Sequence, residues 1–481
     1  MDAGTPSSHS QLTHRETLIV VLGVLLPVFM GSLDSTILAS ALPTIGREYG
    51  EVHNLPWLVT AYLIANTSIT ALYGKISDIR GRRVTLMIAI SLYMLGSLVC
   101  ALAPNMFVLI LGRVLHGFGG GGLTSTGMVV LGDIAAPKDR GKYYGYFSVT
   151  YTTAGACGPA LGGAIAEYLH WSVIFWMNIP LGIIAMAMTM RLLRRLPRHD
   201  RPHKLDFVGA ALIMSASSSF MLALSMGGVN YPWASAPIVG LLIAAFVLGT
   251  AFIVRLRTAP EPLIPLAILG DREARLAVAI NAFGWAPIVG LHIFLPIYLQ
   301  NIVGLQPATA GLSVLLLAVT LNISAGITGT ILPNLVHYKR ITVAGLTFAI
   351  ASVLVLAWRA TSVSLLEFEI LLFLIGCGFG TMPPLAATAL QNNVSAHTFG
   401  SAVATMQFTR NLFATIIVAV FGVLVLSGAG AGIGTAVPQY SVEGFFRVFL
   451  AVAASFAVSL IAIVLLTEKP LLAGRGEDAS S

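Results

Sequence analysis

Apolar stretches of about twenty residues, each closed by a short cluster of charge, Pro or Gly, recur along the whole of this 481-residue chain. A helix rises 1.5 Å per residue and the hydrocarbon core of a bilayer is about 30 Å thick, so roughly 20 such residues make one crossing. Fourteen spans are expected, at 17–45, 55–75, 84–103, 107–133, 142–166, 172–192, 206–227, 235–256, 275–299, 307–331, 341–358, 365–388, 400–427 and 444–466. Composition agrees with that reading. Only 10% of the residues are Asp, Glu, Lys or Arg, 56% are apolar and the mean hydropathy is +0.86, whereas soluble chains carry about 25% charge. A water-facing surface cannot be built from this material, which excludes a soluble enzyme, a disordered regulator and a nucleic-acid binder.

The +7 net charge is a topology signal. With the N-terminus inside, 22 of the 27 Lys and Arg residues fall on the cytoplasmic side, as the positive-inside bias requires. An even number of spans with both ends cytoplasmic follows. Trp57, Trp171, Trp233 and Trp358 fall at the outer boundary, where an interfacial aromatic belt is expected. The polar start lacks the pattern of a cleaved signal peptide, so the first stretch is expected to be retained as a span. No connection is long enough for a soluble domain, so function is expected within the bundle.

The two halves repeat. Arg82-Arg83-Val84-Thr85 returns as Lys339-Arg340-Ile341-Thr342, an offset of 257, and Gly117-Phe118-Gly119 returns as Gly376-Cys377-Gly378, an offset of 259. Gly141 meets Gly400 at the same 259. The expected organisation is a cytoplasmic tail (1–16), an N-terminal six-helix half (17–192), a linker with two extra helices (193–274), a C-terminal six-helix half (275–467) and a second cytoplasmic tail (468–481). Internal symmetry of this kind is common in transporters, whose sites lie between the halves near the midplane.

Other chemistries find no footing. Cys100, Cys157 and Cys377 each sit alone inside an apolar run, without metal or redox spacing. The run from Gly117 to Gly122 fits a dinucleotide fingerprint only formally, because that motif needs a strand before it. No Walker A sequence, metalloprotease helix or nucleophile triad is present, and no cofactor is expected.

Between spans 2 and 3 lies Gly74-Lys75-Ile76-Ser77-Asp78-Ile79-Arg80-Gly81-Arg82-Arg83. A topogenic basic loop explains the bases but not the acid. A carboxylate there can grip a neighbouring helix end in one conformation and release it in another, and Asp133, at the same end of span 4, is a candidate to complete that latch. The pattern of Gly, three residues, Asp, two residues, Gly, Arg, Arg resembles the signature loop of the major facilitator superfamily. Three further segments resemble its fourteen-helix drug:proton antiporters. They are Leu33-Asp34-Ser35-Thr36-Ile37 through Pro43 in span 1, Arg113 with His116, Gly117 and Gly119 in span 4, and the antiporter motif Gly155, Gly158, Pro159, Gly162 and Gly163 in span 5. The stretch that follows, Trp171 through Phe175, Asn178, Pro180 and Gly182, resembles the same antiporters, and weaker echoes lie at Asp206 to Gly209, Pro262 to Leu266 and around Arg410. There are departures: His116 stands where Gln is usual, Ser172-Val173 where Arg-Trp is usual, and Phe413-Ala414 where small glycines are common.

The resemblance implies an all-α membrane protein with the major facilitator fold: two pseudo-symmetric six-helix halves, two additional central helices and a cavity that opens alternately to each side. It also implies that the span 5 glycines line the interface that opens and shuts; general close packing is the other reading.

Asp34 and Arg113 carry charge close to the bilayer middle, where a lone charge costs on the order of 3 kcal/mol or more. Asp34 lies 11 residues from the outer end of its span, about 16 Å, and Arg113 lies 6 residues from the start of its own, about 9 Å. Each is a candidate partner for the other. They form either a static ion pair or a proton-exchanging site, since burial favours the neutral acid, Arg113 favours the carboxylate, and a change of conformation shifts the balance. His116, one turn from Arg113, is either a relay or a packing histidine. Asn178, Asn281, Trp285, Asn322, Gln407 and Arg410 are candidates to line the cavity.

The expected activity is export of amphipathic small molecules in exchange for protons as the coupling ion. A proton symporter or facilitator, an exporter of lipid-like or anionic cargo, and a non-transporting sensor are the alternatives. The expected setting is a bacterial inner membrane, as a monomer in contact with lipid and without nucleic acid.

Overall fold

The computed structural model describes residues 14–51, 54–134, 140–193, 205–228, 231–264, 268, 270–332, 335, 337–360, 363–394, 398–426 and 441–468. Nearly all of them are helical. Of the expected tails, 1–13 and 469–481 lie outside the described residues, as does much of the 193–205 connection. The first half contains α1 (His14–Tyr49), α2 (Leu55–Arg80), α3 (Arg82–Ala101), α4 (Met106–Ile134), α5 (Arg140–Tyr168), the short α6 (Val173–Trp176) and α7 (Asn178–Leu192). Next come α8 (Phe207–Met226) and α9 (Ala236–Thr258). The second half contains α10 (Arg272–Asn301), α11 (Pro307–Ile331), α12 (Lys339–Trp358), α13 (Leu365–Gly380), α14 (Met382–Asn393), α15 (Phe399–Leu426) and α16 (Val442–Leu465).

Helix boundaries follow local chemistry. Asp206, Asp271, Ser364 and Ser441 each accept a bond from the backbone N–H three residues on, at 2.7–3.3 Å, and so start α8, α10, α13 and α16. Between α13 and α14 the chain bends at Thr381, just before Pro383-Pro384, which cannot supply helical N–H donors. Gly81 has φ +81° and turns α2 directly into α3. A side chain would be strained there, and the turn brings Asp78 beside Arg82.

The two halves pack alike. α3 lies against α4 as α12 lies against α13, α2 against α4 as α11 against α13, α1 against α5 as α10 against α15, and α3 against α7 as α12 against α16. The glycine repeat has a steric origin. A Cβ on Gly117 would strike α2 at the Tyr62 carbonyl, and one on Gly376 would strike α11 at Thr320. A Cβ on Gly119 would meet the α3 backbone at Tyr93, and one on Gly378 the α12 backbone at Gly345. In both halves one helix is thus pinned between two others at backbone contact distance. The seams between the halves are also symmetric: α2 meets α15, and α5 meets α11.

Among the described residues, twelve helical segments are both long and apolar enough to cross a membrane, against the fourteen expected. The other two are α2 and α5, which have 26 and 29 residues but lower apolarity. These are the helices of the first half that form the seams, so protein replaces lipid along part of their surface. The inserted pair α8 and α9 packs together beside one seam. Ser217 and Ser218 of α8 both lie 3.0 Å from the Ser68 hydroxyl of α2, and α8 also touches α15. Ala71, Ala210, Phe252, Leu256 and Phe408 form a shared apolar cluster there.

The expected aromatic belt needs one correction. Trp358 and Trp233 are exposed, but Trp171 is 2% exposed and donates from Nε1 to Glu48 at 2.6 Å. It packs in the core of the first half, where Glu48 at the end of α1 supplies the acceptor that a buried indole needs.

The glycine contacts predict opposite outcomes for two changes of the same size. Gly119→Ala forces a methyl into the Tyr93 backbone, which has no flexible end to move aside, and is expected to destabilise by about 1–3 kcal/mol. Gly163→Ala meets nothing within 4 Å and is expected to be neutral. Thermal unfolding of the purified variants in detergent tests the contrast.

Candidate functional site: a buried charge cluster and a helix-end latch

Asp34, Arg113 and His116 come together inside the first half. They are 2%, 1% and 0% exposed. Arg113 Nη1 donates to both carboxylate oxygens of Asp34 at 2.8 Å, and its Nε donates to the Leu58 carbonyl at 2.9 Å. The Tyr62 ring lies 4.3 Å beneath the guanidinium, a cation–π contact. Opposite charge, a carbonyl dipole and an aromatic face therefore replace the water that this cation has lost.

His116 adds a proton position. Its Nδ1 lies 3.0 Å from Arg113 Nη1 and 3.5 Å from Asp34 Oδ1. Nδ1 can accept from the guanidinium when it carries no hydrogen, or donate to Asp34 when it does, so the tautomer decides which partner it serves. The ring's Nε2 is buried without a hydrogen-bond partner. The Tyr93 ring lies against the imidazole at 3.9 Å, and the Tyr93 hydroxyl donates to the Met30 carbonyl at 2.9 Å. Gly96 of α3 allows this approach, because a Cβ there would strike the His116 backbone. Tyr62 and Tyr93 were missed at the level of sequence, where an apolar helix shows no sign of which tyrosine faces a charge.

The position of Asp34 is set from α5. Gly158 and Gly162 lie where a Cβ would collide with Thr36 and with the Ile37 carbonyl of α1, and the Thr36 hydroxyl donates to the Ala154 carbonyl at 3.2 Å. Those two glycines of the span 5 motif thus make a contact within the first half. Gly155 and Gly163 have nothing within 4 Å of a Cβ position, and the side chain of Pro159 lies outside the described residues.

The loop after α2 forms a latch across the α2–α15 seam. Asp78 accepts from the backbone N–H groups of Gly400 and Ser401 at 3.0 and 2.8 Å and from the Ser401 hydroxyl at 2.7 Å. It also pairs with Arg82 at 2.9 Å, and Arg82 donates to the Ser77 carbonyl at 2.6 Å. A carboxylate at the start of α15 satisfies free helix donors and meets the positive end of the helix dipole. Gly74, one turn earlier, has its Cβ position filled by Ala404 and the Gly400 carbonyl. Arg83 Nε is buried without a partner. The expected contribution of Asp133 falls on a side chain outside the described residues; the helix end that Asp78 grips belongs to α15.

The six cavity candidates separate. Arg410 and Trp285 come together, with the guanidinium 5.0 Å from the indole ring. Asn178 donates to Ser97 at 3.0 Å within the first half, and Asn322 donates back to the Ala318 carbonyl of its own helix at 2.7 Å. Asn281 and Gln407 are buried. Phe413, a departure from the resembled pattern, packs edge to face on Phe283 at 4.8 Å.

The Major Facilitator Superfamily model matches residues 24–419. This chain belongs to that family, whose members are transporters. It is 30% identical over 416 residues to the Multidrug transporter protein MdtP of Bacillus subtilis, covering 86% of this chain and 76% of that protein. It is 28% identical over 406 residues to Multidrug resistance protein 3 of Bacillus subtilis, covering 84% of this chain and 79% of that protein. Among solved structures it is similar to a bacterial homologue of the iron transporter ferroportin in its outward-facing state, with a TM-score of 0.68 and 13% identity over 94% of this chain and 99% of that one. The last likeness concerns the fold alone. The protein is thus a multi-pass membrane transporter for small molecules, not an enzyme.

Asp78→Ala removes every bond of the latch to α15 and is expected to cost about 2 kcal/mol. Ser401→Ala removes the hydroxyl but spares both backbone donors, and is expected to cost about 1 kcal/mol or less. Equal thermal shifts for the two variants in detergent would contradict this ordering.

Proposed function

We propose that the protein exports amphipathic small molecules in exchange for protons, by alternating access, with Asp34 as the group that takes up and releases the proton. The observation that carries this reading is a carboxylate buried in the bundle whose only strong partner among the described residues is one guanidinium, itself supported by a second set of contacts. When Asp34 is protonated, Arg113 keeps the Leu58 carbonyl and the Tyr62 ring, so its charge is not abandoned. His116 Nδ1 lies within reach of both partners and is placed to pass the proton between Asp34 and the pathway.

The Asp78 latch supplies the other half of the cycle. With its bonds to α15 made, the α2–α15 seam is held shut at the end of the bundle rich in Lys and Arg, which the positive-inside bias makes cytoplasmic. Opening toward the cytoplasm requires that grip to be released. A proton moving inward across 100 mV supplies about 2.3 kcal/mol, comparable to the latch. The names of the two Bacillus relatives, a multidrug transporter and a multidrug resistance protein, support a drug-like cargo. The setting proposed is a bacterial inner membrane with both termini inside.

The test is reconstitution into liposomes with an imposed pH gradient and a panel of amphipathic dyes. The wild type is expected to move dye against its gradient until the pH difference collapses. Asp34→Asn is expected to abolish that driven transport while retaining dye exchange between the two sides at zero gradient. Full gradient-driven transport by Asp34→Asn would exclude Asp34 as the coupling site, and dye accumulation on the side that receives protons would reverse the direction.

A further inference from the structure

Arg410 is a second deep guanidinium, but its surroundings differ from those of Arg113. It lies 11 residues past the start of α15, about 16 Å along the helix. Its Nε makes one long contact, 3.4 Å to the neighbouring Asn411 side chain. Among the described residues no Asp or Glu forms an ion pair with it. Despite its depth Arg410 stays partly accessible, as does Trp285. The two sit at a common level, since Trp285 is 13 residues past Arg272 on α10, and the guanidinium lies 5.0 Å from the indole ring.

An unpaired cation at such depth costs on the order of 3 kcal/mol or more. The Trp285 contact, about 0.5–2 kcal/mol, offsets only part of it. Arg113 shows how the chain meets this cost, by placing Asp34 against it; beside Arg410 no Asp or Glu does so among the described residues. Trp285 and the Phe283–Phe413 pair give that position an aromatic wall.

We propose that Arg410 and Trp285 form a subsite for the anionic group of an aromatic amphipathic substrate, a carboxylate or sulfonate that accepts from the guanidinium while its ring packs on the aromatic wall. This deepens the transport reading by naming a substrate class, but binding needs no gradient and no proton coupling, so the two stand or fall separately.

The experiment is equilibrium binding by calorimetry to the purified full-length protein in detergent. The probes are 1-naphthalenesulfonate and, as a cation of matched ring, (1-naphthylmethyl)trimethylammonium. The wild type is expected to bind the sulfonate in preference to the ammonium. Arg410→Ala is expected to weaken the sulfonate about tenfold or more without weakening the ammonium, and Arg410→Lys to weaken it about threefold, since lysine keeps the charge but loses the planar fork. Gel filtration and thermal unfolding report whether each variant is folded; if Arg410→Ala is not, Arg410→Lys and the comparison of probes decide. Absence of saturable sulfonate binding, equal affinity for the two probes, or sulfonate affinity unchanged in the folded variants would each overturn the subsite. Gradient-driven transport by the wild type, and its loss in Asp34→Asn, are read in liposomes and test the coupling reading alone.

Discussion

A charge placed among helices in a bilayer has to be met by an opposite charge, by fixed dipoles or by water, and that constraint organises the chemistry of this transporter. Asp34 and Arg113 meet each other, and the Leu58 carbonyl and the Tyr62 ring complete the shell. Asp78, at a helix end, meets two backbone N–H groups of α15. Arg410 has an aromatic face but no acid among the described residues. The three settings form a series, from a charge fully paired inside one half, through a charge paired across the seam, to a charge left for a ligand.

Placement of these groups depends on close approach between helices. Glycines at 96, 117, 119, 158 and 162 stand where a Cβ would overlap a neighbour. In lipid there is no hydrophobic effect to drive helices together, so contact at backbone distance supplies the dispersion energy that holds each half. The same approach fixes the cluster, because α1 is registered against α5 by Gly158 and Gly162, and α3 against α4 by Gly96 and Gly119. Two symmetric seams join the halves. The inserted helices α8 and α9 sit beside one of those seams, with α8 touching both halves.

The fold was largely legible because membrane crossing is a one-dimensional constraint. Span length, charge clusters and a faint repeat were enough to lay out nearly every helix to within a few residues, and the repeat proved to be steric, since paired glycines contact corresponding helices in the two halves. Where the reading differed, a tertiary partner was responsible. Trp171 resembled a belt residue until Glu48 supplied an acceptor in the core. The motif glycines of α5 divided between contact with α1 and open space, a division that spacing along one helix does not encode. α2 and α5, the first-half helices of the seams, are less apolar than their partners α15 and α11.

From the sequence alone came the order of the helical stretches, their sidedness as an expectation, the two pseudo-symmetric halves, and the suspicion that Asp34 and Arg113 need each other. Those features depend on the cost of exposing polar atoms to hydrocarbon, which is paid residue by residue along the chain. Tertiary structure alone decided that His116 Nδ1 lies within reach of both Arg113 and Asp34, that Asp78 grips α15, and that Arg410 stands beside Trp285 with no acid paired to it among the described residues. Each is a matter of direction and of a few tenths of an ångström between helices distant in sequence. No local pattern carries that information.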